Sequence, residues 1–372
     1  MIIDVHCHLA YSQKHRSDAI ERFSFEPLPP RESAQRSVKD TGALPTDFDG
    51  CVSPRAANGL LFRLLMRELK VQFGEGPGPG LDERIARVWD EHLLAPGPID
   101  RYVLLAMDAA HDDDGRVAPL PRRAGQLGSD IYVSNSLVRA ACRARPDRYL
   151  FGASIHPYRP GALEAIDEVV AGGACLMKWL PVHQNIEIRD PRSVAFVRRL
   201  GQVGLPLLVH YNVEFLLGNY RDPQISLGPM IEVLRELRRE GEMPTVIFAH
   251  VATHTLFWGR RAWHDALCHL LLNEFADEPI YADISALGLV SKASLFLRLL
   301  ERQELHRKLL FGSDFPVPMT PWRFRLALGN RYSRVAGERS APQMFAKLCR
   351  ELGFNEGVMT QAAKVLRMGN SE

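Results

Sequence analysis

Short apolar runs recur along the chain, and most of them end in a polar or ionisable residue. Most are followed by a stretch in which apolar residues recur every three or four positions, which predicts a helix. Strands that alternate with helices form a parallel sheet. The runs are, in chain order, MIIDVHCH, RYVLLAMD, YLFGASIH, ACLMKWLP, LPLLVHYN, TVIFAHV, IYADISA and KLLFGSDFP. The helical stretches include residues 135–146, 161–173, 191–204, 228–241, 261–276 and 291–305.

The number of runs decides between two α/β architectures. A doubly wound open sheet and a closed barrel both alternate strands with helices, but eight units favour the (β/α)8 or TIM barrel, which takes about 250 residues. The active site of such a barrel lies at the C-terminal ends of its strands. We therefore expect the residues that close the runs to meet at one mouth of the barrel: His8, Asp108, His156, Lys178, His210, His250 and Asp314.

Residues 10–100 do not fit this alternation. The segment begins with charged, Pro-rich sequence and holds two helical pieces, 56–71 and 81–94, around the link GEGPGPG. We interpret it as a largely helical insertion after the first strand, within one domain that spans residues 1–372. An insertion at this end of a barrel serves either as a lid over the pocket or as an oligomerisation arm, and the sequence leaves both roles open. Residues 341–351 and 355–368 are predicted to be terminal helices.

Composition narrows the class of protein. The 372 residues are 46% hydrophobic, enough for a substantial core, and 46 Lys and Arg balance 44 Asp and Glu. A net charge of +2 is not typical of a nucleic-acid or membrane-surface binder. The six cysteines lie far apart without CxxC pairs, which indicates reduced thiols. With no secretion signal at the N-terminus and no charge-free run of about 20 apolar residues, we expect a soluble, cytoplasmic protein.

His6 and His8 are the first candidates for a metal site. In a strand, side chains two residues apart project from the same face, so these imidazoles would point together while Cys7 turns away. His210 and His250 close later runs, and Asp314 closes the last one. Imidazole and carboxylate groups are the ligands that zinc and similar ions take, and catalytic sites keep one position open. The spacing therefore predicts a divalent metal site at the barrel mouth.

The motifs DVHCH, VHYN, FAHV and FGSDFP, in this order on the first, fifth, sixth and eighth runs, resemble the amidohydrolase superfamily. The closest likeness is to its amidohydrolase-related branch, which contains aminocarboxymuconate-semialdehyde decarboxylase-like TIM-barrel enzymes. The segment NSLVRAACRARPDRYLFGASIHP also resembles that branch. The resemblance implies a metal held by His6, His8, His210 and Asp314, with zinc the expected ion. It also implies that His250 lies beside the metal and acts on the substrate.

The implied ion activates a water and polarises a carbonyl or carboxylate oxygen. Asp314 would orient or deprotonate that water, and His250 would donate a proton or stabilise the oxyanion. Lys178 has three open roles. If its amine is carboxylated, it would bridge two ions, with His210 and His250 on the second. Otherwise it would bind a substrate carboxylate or pair with an acidic neighbour. One ion is favoured.

These residues predict a hydrolase that directs metal-activated water at an amide, ester or lactone bond of a small organic acid or cyclic compound. The alternative is nonoxidative decarboxylation of an unsaturated or aromatic carboxylic acid on the same metal. A noncatalytic metal-binding barrel is a third hypothesis. No nucleic-acid or membrane partner is expected, and self-association is left open. Weaker pocket candidates, each with a structural role as the better interpretation, are His156, His183, Gln184, Asn212, Glu214, Arg221, His254, Arg260 and Arg261.

Overall fold

The computed structural model describes residues 1–26, 43–72, 76–211, 217–221, 227–253 and 262–368. All eight apolar runs are parallel strands, which pair in chain order to form one sheet. Three backbone hydrogen bonds join the last strand and the residues after it to the first: Val5 N to Phe311 O at 3.1 Å, Asp314 N to His6 O at 2.8 Å and His8 N to Phe315 O at 2.8 Å. The predicted barrel is confirmed.

Eleven strands, β1 to β11, lie in the described ranges. The barrel strands are β1 (Ile3–His8), β4 (Arg101–Leu105), β6 (Tyr149–Ala153), β7 (Ala174–Trp179), β8 (Leu207–Val209), β9 (Val246–Phe248), β10 (Ile280–Asp283) and β11 (Leu309–Leu310). The other three form a small antiparallel sheet and are β2 (Gln13–His15), β3 (Phe48–Val52) and β5 (Ile131–Val133).

The predicted helices are present with small changes at their ends. Residues 56–71 form two helices interrupted near Gly59, and residues 355–368 also divide into two. The helices are α1 (Pro54–Ala57), α2 (Leu60–Glu68), α3 (Pro79–Leu93), α4 (Asn135–Ala144), α5 (Ala162–Ala171), α6 (Pro181–Gln184), α7 (Pro191–Val203), α8 (Gly228–Arg239), α9 (Ala262–Leu272), α10 (Ala293–Glu301), α11 (Arg325–Leu328), α12 (Tyr332–Ala336), α13 (Ala341–Leu352), α14 (Glu356–Thr360) and α15 (Ala362–Val365). None of the helices in the described ranges has the length and apolar character that a membrane span requires.

The insertion contains strands as well as helices. Strands β2 and β3 lie within residues 10–100 and pair with β5, which follows the second barrel strand. This sheet was not expected, because strands of three to five residues are too short to show a clear alternating pattern. It ties the insertion to the loop between β4 and α4, at the end of the barrel where the strands finish.

The barrel interior is filled with aliphatic side chains. One buried cluster takes residues from β1, β4, β6, β7, β8, β9 and β11, with Tyr281 of β10 packed against it, and α15 covers one end through Ala362, Val365 and Leu366. A filled interior is typical of this fold and leaves only the mouth for chemistry. All six cysteines are unpaired thiols, as their spacing predicts.

Candidate metal centre and active site

His6, His8 and Asp314 come together at the mouth of the barrel. The Nε2 atoms of His6 and His8 lie 3.2 Å apart, and Asp314 Oδ1 lies 3.4 Å from the first and 3.3 Å from the second. Ligands bound tetrahedrally to zinc at ~2.0–2.1 Å stand about 3.4 Å from one another. We call these three residues the triad. Its spacing and its two-imidazole, one-carboxylate chemistry fit a catalytic divalent ion with an open position.

Backbone geometry aims Asp314 at the histidines. Asp314 has a φ of 63°, in the left-handed region that aspartate tolerates better than most residues, and its N–H donates to the His6 carbonyl. A side chain at Gly312 would place its Cβ 3.0 Å from the His6 Cβ, so a larger residue would push the segment after β11 away from β1. Asp4 joins the same two segments, because its Oδ1 accepts from His6 N at 3.1 Å and from Ser313 N at 2.9 Å.

Asp283, which sequence reasoning missed, sets the orientation of His6. Its Oδ2 lies 2.9 Å from His6 Nδ1. Burial alone would raise the pKa of Asp283, but the electrostatic interaction and hydrogen bond with His6, and the hydrogen bond from Ser285, hold that pKa below its ordinary value. An ionised carboxylate accepts hydrogen bonds but cannot donate one, so His6 carries its proton on Nδ1. The lone pair of its Nε2 then points toward His8 and Asp314. This carboxylate–histidine pairing is typical of metal sites. Asp283 is the only carboxylate in the run IYADISA and the last residue of β10, and its place in that run was the available signal.

A second hydrogen-bonded chain orients His210. His250 Nδ1 lies 3.1 Å from the Ser285 carbonyl, which only accepts, so this nitrogen carries the proton of the neutral ring. His250 Nε2 is then an acceptor, and His210 Nδ1 donates to it at 3.0 Å. Burial lowers the pKa of His250 to about 3 and that of His210 well below its ordinary value, which keeps both rings neutral. The chain leaves Nε2 of His210 as the unprotonated nitrogen, the form that binds a metal.

His250 lies on a strained segment. Its φ is 54°, and Val251 and Ala252 follow with φ of 49° and 51°. Left-handed backbone at residues other than glycine costs on the order of 1–3 kcal/mol each and collects at functional sites. Asp283 supports the turn, because its Oδ1 accepts from His250 N at 2.8 Å.

A second group of ligand atoms, from His6, His250 and Asp283, also lies close enough to hold an ion. We assign the metal to the triad for two reasons. His6 Nδ1 and Asp283 are already joined by the hydrogen bond described above. The triad also lines a cavity, whereas His250 and Asp283 do not.

Lys178 is fully buried at the end of β7, and its Nζ lies 2.9 Å from His6 Nε2. The amine therefore stands beside the triad, where the sequence placed it. Burial would raise the pKa of Asp314, but its electrostatic interaction with His6 and its hydrogen bond with His8 hold it well below its ordinary value. The site thus combines a carboxylate, a lysine and imidazoles.

A cavity of about 120 Å³ opens on the triad. His6, His8, Asp314, Lys178 and His210 form its polar part. The insertion supplies much of the remaining wall, through the start of the segment, β3, α1 and α2. In addition, Trp89 Nε1 of α3 donates to the His8 carbonyl at 2.8 Å, so the insertion also contacts the backbone of the triad.

The four weaker candidates in the described ranges, His156, His183, Gln184 and Arg221, do not line this cavity. His156 donates through Nε2 to the Gln184 carbonyl at 2.6 Å and accepts from Tyr158 N at 3.1 Å. His183 Nδ1 donates to the Gly218 carbonyl at 2.9 Å, and Arg221 pairs with Glu187 at 3.0 Å. The predictions for Asn212, Glu214, His254, Arg260 and Arg261 fall outside the described residues.

No significant relative was found among curated proteins. Solved structures with a similar fold include an uncharacterised TIM-barrel protein from Bordetella bronchiseptica, 16% identical over 97% of this chain and 99% of that chain, with a TM-score of 0.49. The 2,6-dihydroxybenzoate decarboxylase from Rhizobium is 13% identical over 99% and 98%, with a TM-score of 0.49. A probable 2-pyrone-4,6-dicarboxylic acid hydrolase from Acinetobacter baumannii is 11% identical over 98% and 99%, also at 0.49. At these values the likeness carries no argument about activity.

The family comparison is decisive. The model of the family Amidohydro_2, described as amidohydrolase, matches residues 3–336, and this range contains every motif on which the resemblance rested. It also contains the triad, Asp283 and the insertion. The chain therefore belongs to the Amidohydro_2 family of amidohydrolases.

Proposed function

We propose that this protein is a hydrolase that uses one Zn²⁺ ion, held by His6, His8 and Asp314, to cleave an amide, ester or lactone bond of a small organic molecule. The spacing of 3.2–3.4 Å among the three ligand atoms carries the proposal. His210 is the fourth candidate ligand, through Nε2. Membership of a metal-dependent enzyme family and the cavity at the triad support a catalytic rather than a structural ion.

When bound, the ion supplies a water of lowered pKa and polarises the scissile carbonyl. The two oxygens of Asp314 are assigned different roles. Oδ1, which faces His6 and His8, is the ligand atom, and Oδ2 lies 3.7 Å from His250 Nε2. We assign Oδ2 to orient and deprotonate the attacking water. The role of His250 as proton donor stays a prediction from the sequence, because its Nε2 lies 3.7 Å from Asp314 Oδ2 and already accepts from His210 Nδ1.

Lys178 is assigned to the substrate. Its buried amine lies at the triad, where a cation attracts the carbonyl or carboxylate oxygen of a bound molecule. The same amine supports the second candidate function, nonoxidative decarboxylation, because it offers a counter-charge for a carboxylate. Release of an acid without carbon dioxide indicates hydrolysis, and release of carbon dioxide indicates decarboxylation.

The insertion, residues 10–100 of a single domain, is assigned as a lid. Its helices α2 and α3 reach the cavity wall and the His8 carbonyl. An oligomerisation arm is the competing role, and the molecular mass in solution tests it. A cytoplasmic location and the absence of nucleic-acid and membrane partners stay predictions from the sequence.

Elemental analysis of metal-replete protein tests the proposal. We expect one zinc per chain in the wild type, none in His6→Ala, and one in Lys178→Ala with activity reduced at least about a hundredfold. Two ions, with one lost in Lys178→Ala, would instead support a carboxylated lysine bridge. No metal in the wild type would overturn the proposal.

A further inference from the structure

Away from the triad, the described residues of the cavity wall are apolar. Phe62, Leu65 and Met66 of α2 form one side, and Val52 and Met107 belong to the rest of the wall. Phe62 and Met66 are almost fully buried, although they face the cavity. Side chains of this kind stabilise a ligand by removing apolar surface from water, and they offer no strong hydrogen-bonding groups.

The charges at the cavity are confined to one end. Among the described residues that line it, the ionisable ones are those of the site itself: His6, His8, Lys178, His210 and Asp314. Arg55 precedes the lining residue Ala56, but its guanidinium is paired with Asp130, with Nε at 3.0 Å. Asp130 also accepts from Ser53 Oγ at 2.6 Å and from Gly218 N at 2.6 Å, which fixes the pair in place.

We infer that the substrate has one polar function, which binds at the triad, and that the remainder is a single uncharged apolar group. This inference rests on the proposed function and names its substrate class. The size follows from the volume of about 120 Å³. An apolar cavity of about 150 Å³ binds benzene, so the group is about one six-membered ring or a branched chain of similar size.

The same wall excludes a second charge. A carboxylate at the far end of the ring would leave water without gaining a counter-ion or a hydrogen-bond donor from the described wall, and burial of an unpaired charge is strongly unfavourable. Discrimination against such a group therefore exceeds the roughly hundredfold that an apolar pocket reaches against an added hydroxyl.

A matched pair of ring acids tests the inference. Cyclohexanecarboxylate and trans-cyclohexane-1,4-dicarboxylate differ only in the second carboxylate, and calorimetry measures their Kd on zinc-loaded and on metal-free protein. We expect the monoacid to bind at least about a hundredfold tighter in both forms. Equal affinities, tighter binding of the diacid, or no binding of the monoacid at millimolar concentration would overturn the inference.

Two variants on the same helix locate the preference. Leu65 lines the cavity and Leu64, its neighbour, is 47% exposed. We expect Leu65→Arg to reduce the ratio of the two Kd values at least about tenfold, because the guanidinium pairs with the second carboxylate. Leu64→Arg should leave the ratio within about twofold, and an equal effect of both variants would contradict the assignment of this wall. If the protein still prefers the monoacid but zinc changes neither the Kd of the monoacid nor the rate of substrate turnover, the proposed function fails. The inference about the cavity would then stand.

Discussion

His6 and His156 are both buried near the ends of barrel strands, and they differ in the atoms that their ring nitrogens contact. His6 donates through Nδ1 to Asp283 and turns Nε2 to other ligand atoms, 3.2 Å from His8 and 3.4 Å from Asp314. His156 is just as deeply buried, but both of its nitrogens bond to main-chain atoms, the Gln184 carbonyl and Tyr158 N. The partners of His6 Nε2 are side-chain atoms, Lys178 Nζ at 2.9 Å among them, and side chains can rearrange around an ion, whereas both nitrogens of His156 are held by the main chain.

The comparison teaches that position at a strand end does not make a histidine a ligand. His156 closes the run YLFGASIH just as His210 closes LPLLVH. What separates them is the partner. A carbonyl acceptor and a main-chain N–H donor together use both nitrogens of His156, whereas His210 Nδ1 donates to a side chain, His250 Nε2 at 3.0 Å.

The largest expected effect comes from Asp314→Asn. The change removes the anionic ligand and the proposed base together, so we expect kcat/KM to fall at least about a thousandfold. His156→Gln is the matched control and should keep activity within about threefold. A comparable loss in both variants would break the distinction between the triad and His156.

The next effect is on stability. His156→Ala leaves two main-chain groups unsatisfied in a fully buried position, so we expect the free energy of unfolding to fall by about 2–4 kcal/mol. Urea unfolding of zinc-loaded protein measures it. The zinc content of the folded variant should equal that of the wild type, and loss of zinc would contradict a purely structural role.

Asp283→Asn tests the partner that orients His6. An amide holds Nδ1 of His6 less firmly than a carboxylate does, so we expect zinc affinity to fall about 10–100-fold. A competition titration with a chromophoric chelator measures the change. Unchanged affinity would mean that packing alone orients His6.

The smallest effect is the pH dependence of metal-free protein. Burial lowers the pKa of His8 from 6.5 to about 4, and it lowers the pKa of His156 well below its ordinary value. The unfolded chain binds these protons near pH 6.5, so stability is fully present above that pH and falls as the pH drops toward 4. Each histidine contributes about 1.4 kcal/mol per pH unit in this window. Between pH 7 and 5 the free energy of unfolding should therefore depend less steeply on pH in His156→Gln than in the wild type. An unchanged slope would mean that His156 does not contribute to this pH dependence.

Much of the fold was predictable because its signals are local. Each barrel strand is a short apolar run, and helices such as α7 have apolar residues at regular intervals and a capping residue, Asp190, whose side chain accepts from Arg192 N at 2.9 Å. The small sheet of β2, β3 and β5 was missed, since its strands come from distant segments and each is too short to show a pattern. Asp283 was missed for a different reason. Its role depends on His6, which lies 277 residues away in the chain.

The sequence by itself determined the strand order, the barrel and the residues that close its strands, because alternating polarity and a parallel sheet leave few other arrangements. It also determined the ligand chemistry of His6, His8 and Asp314, since only certain side chains bind metal. Only the tertiary structure decided which strand-end histidines turn a nitrogen toward ligand atoms and which are used by the backbone. It alone also showed that the described residues of the wall opposite the triad are apolar. These properties depend on hydrogen bonds and packing between segments far apart in the chain, and no local pattern records them.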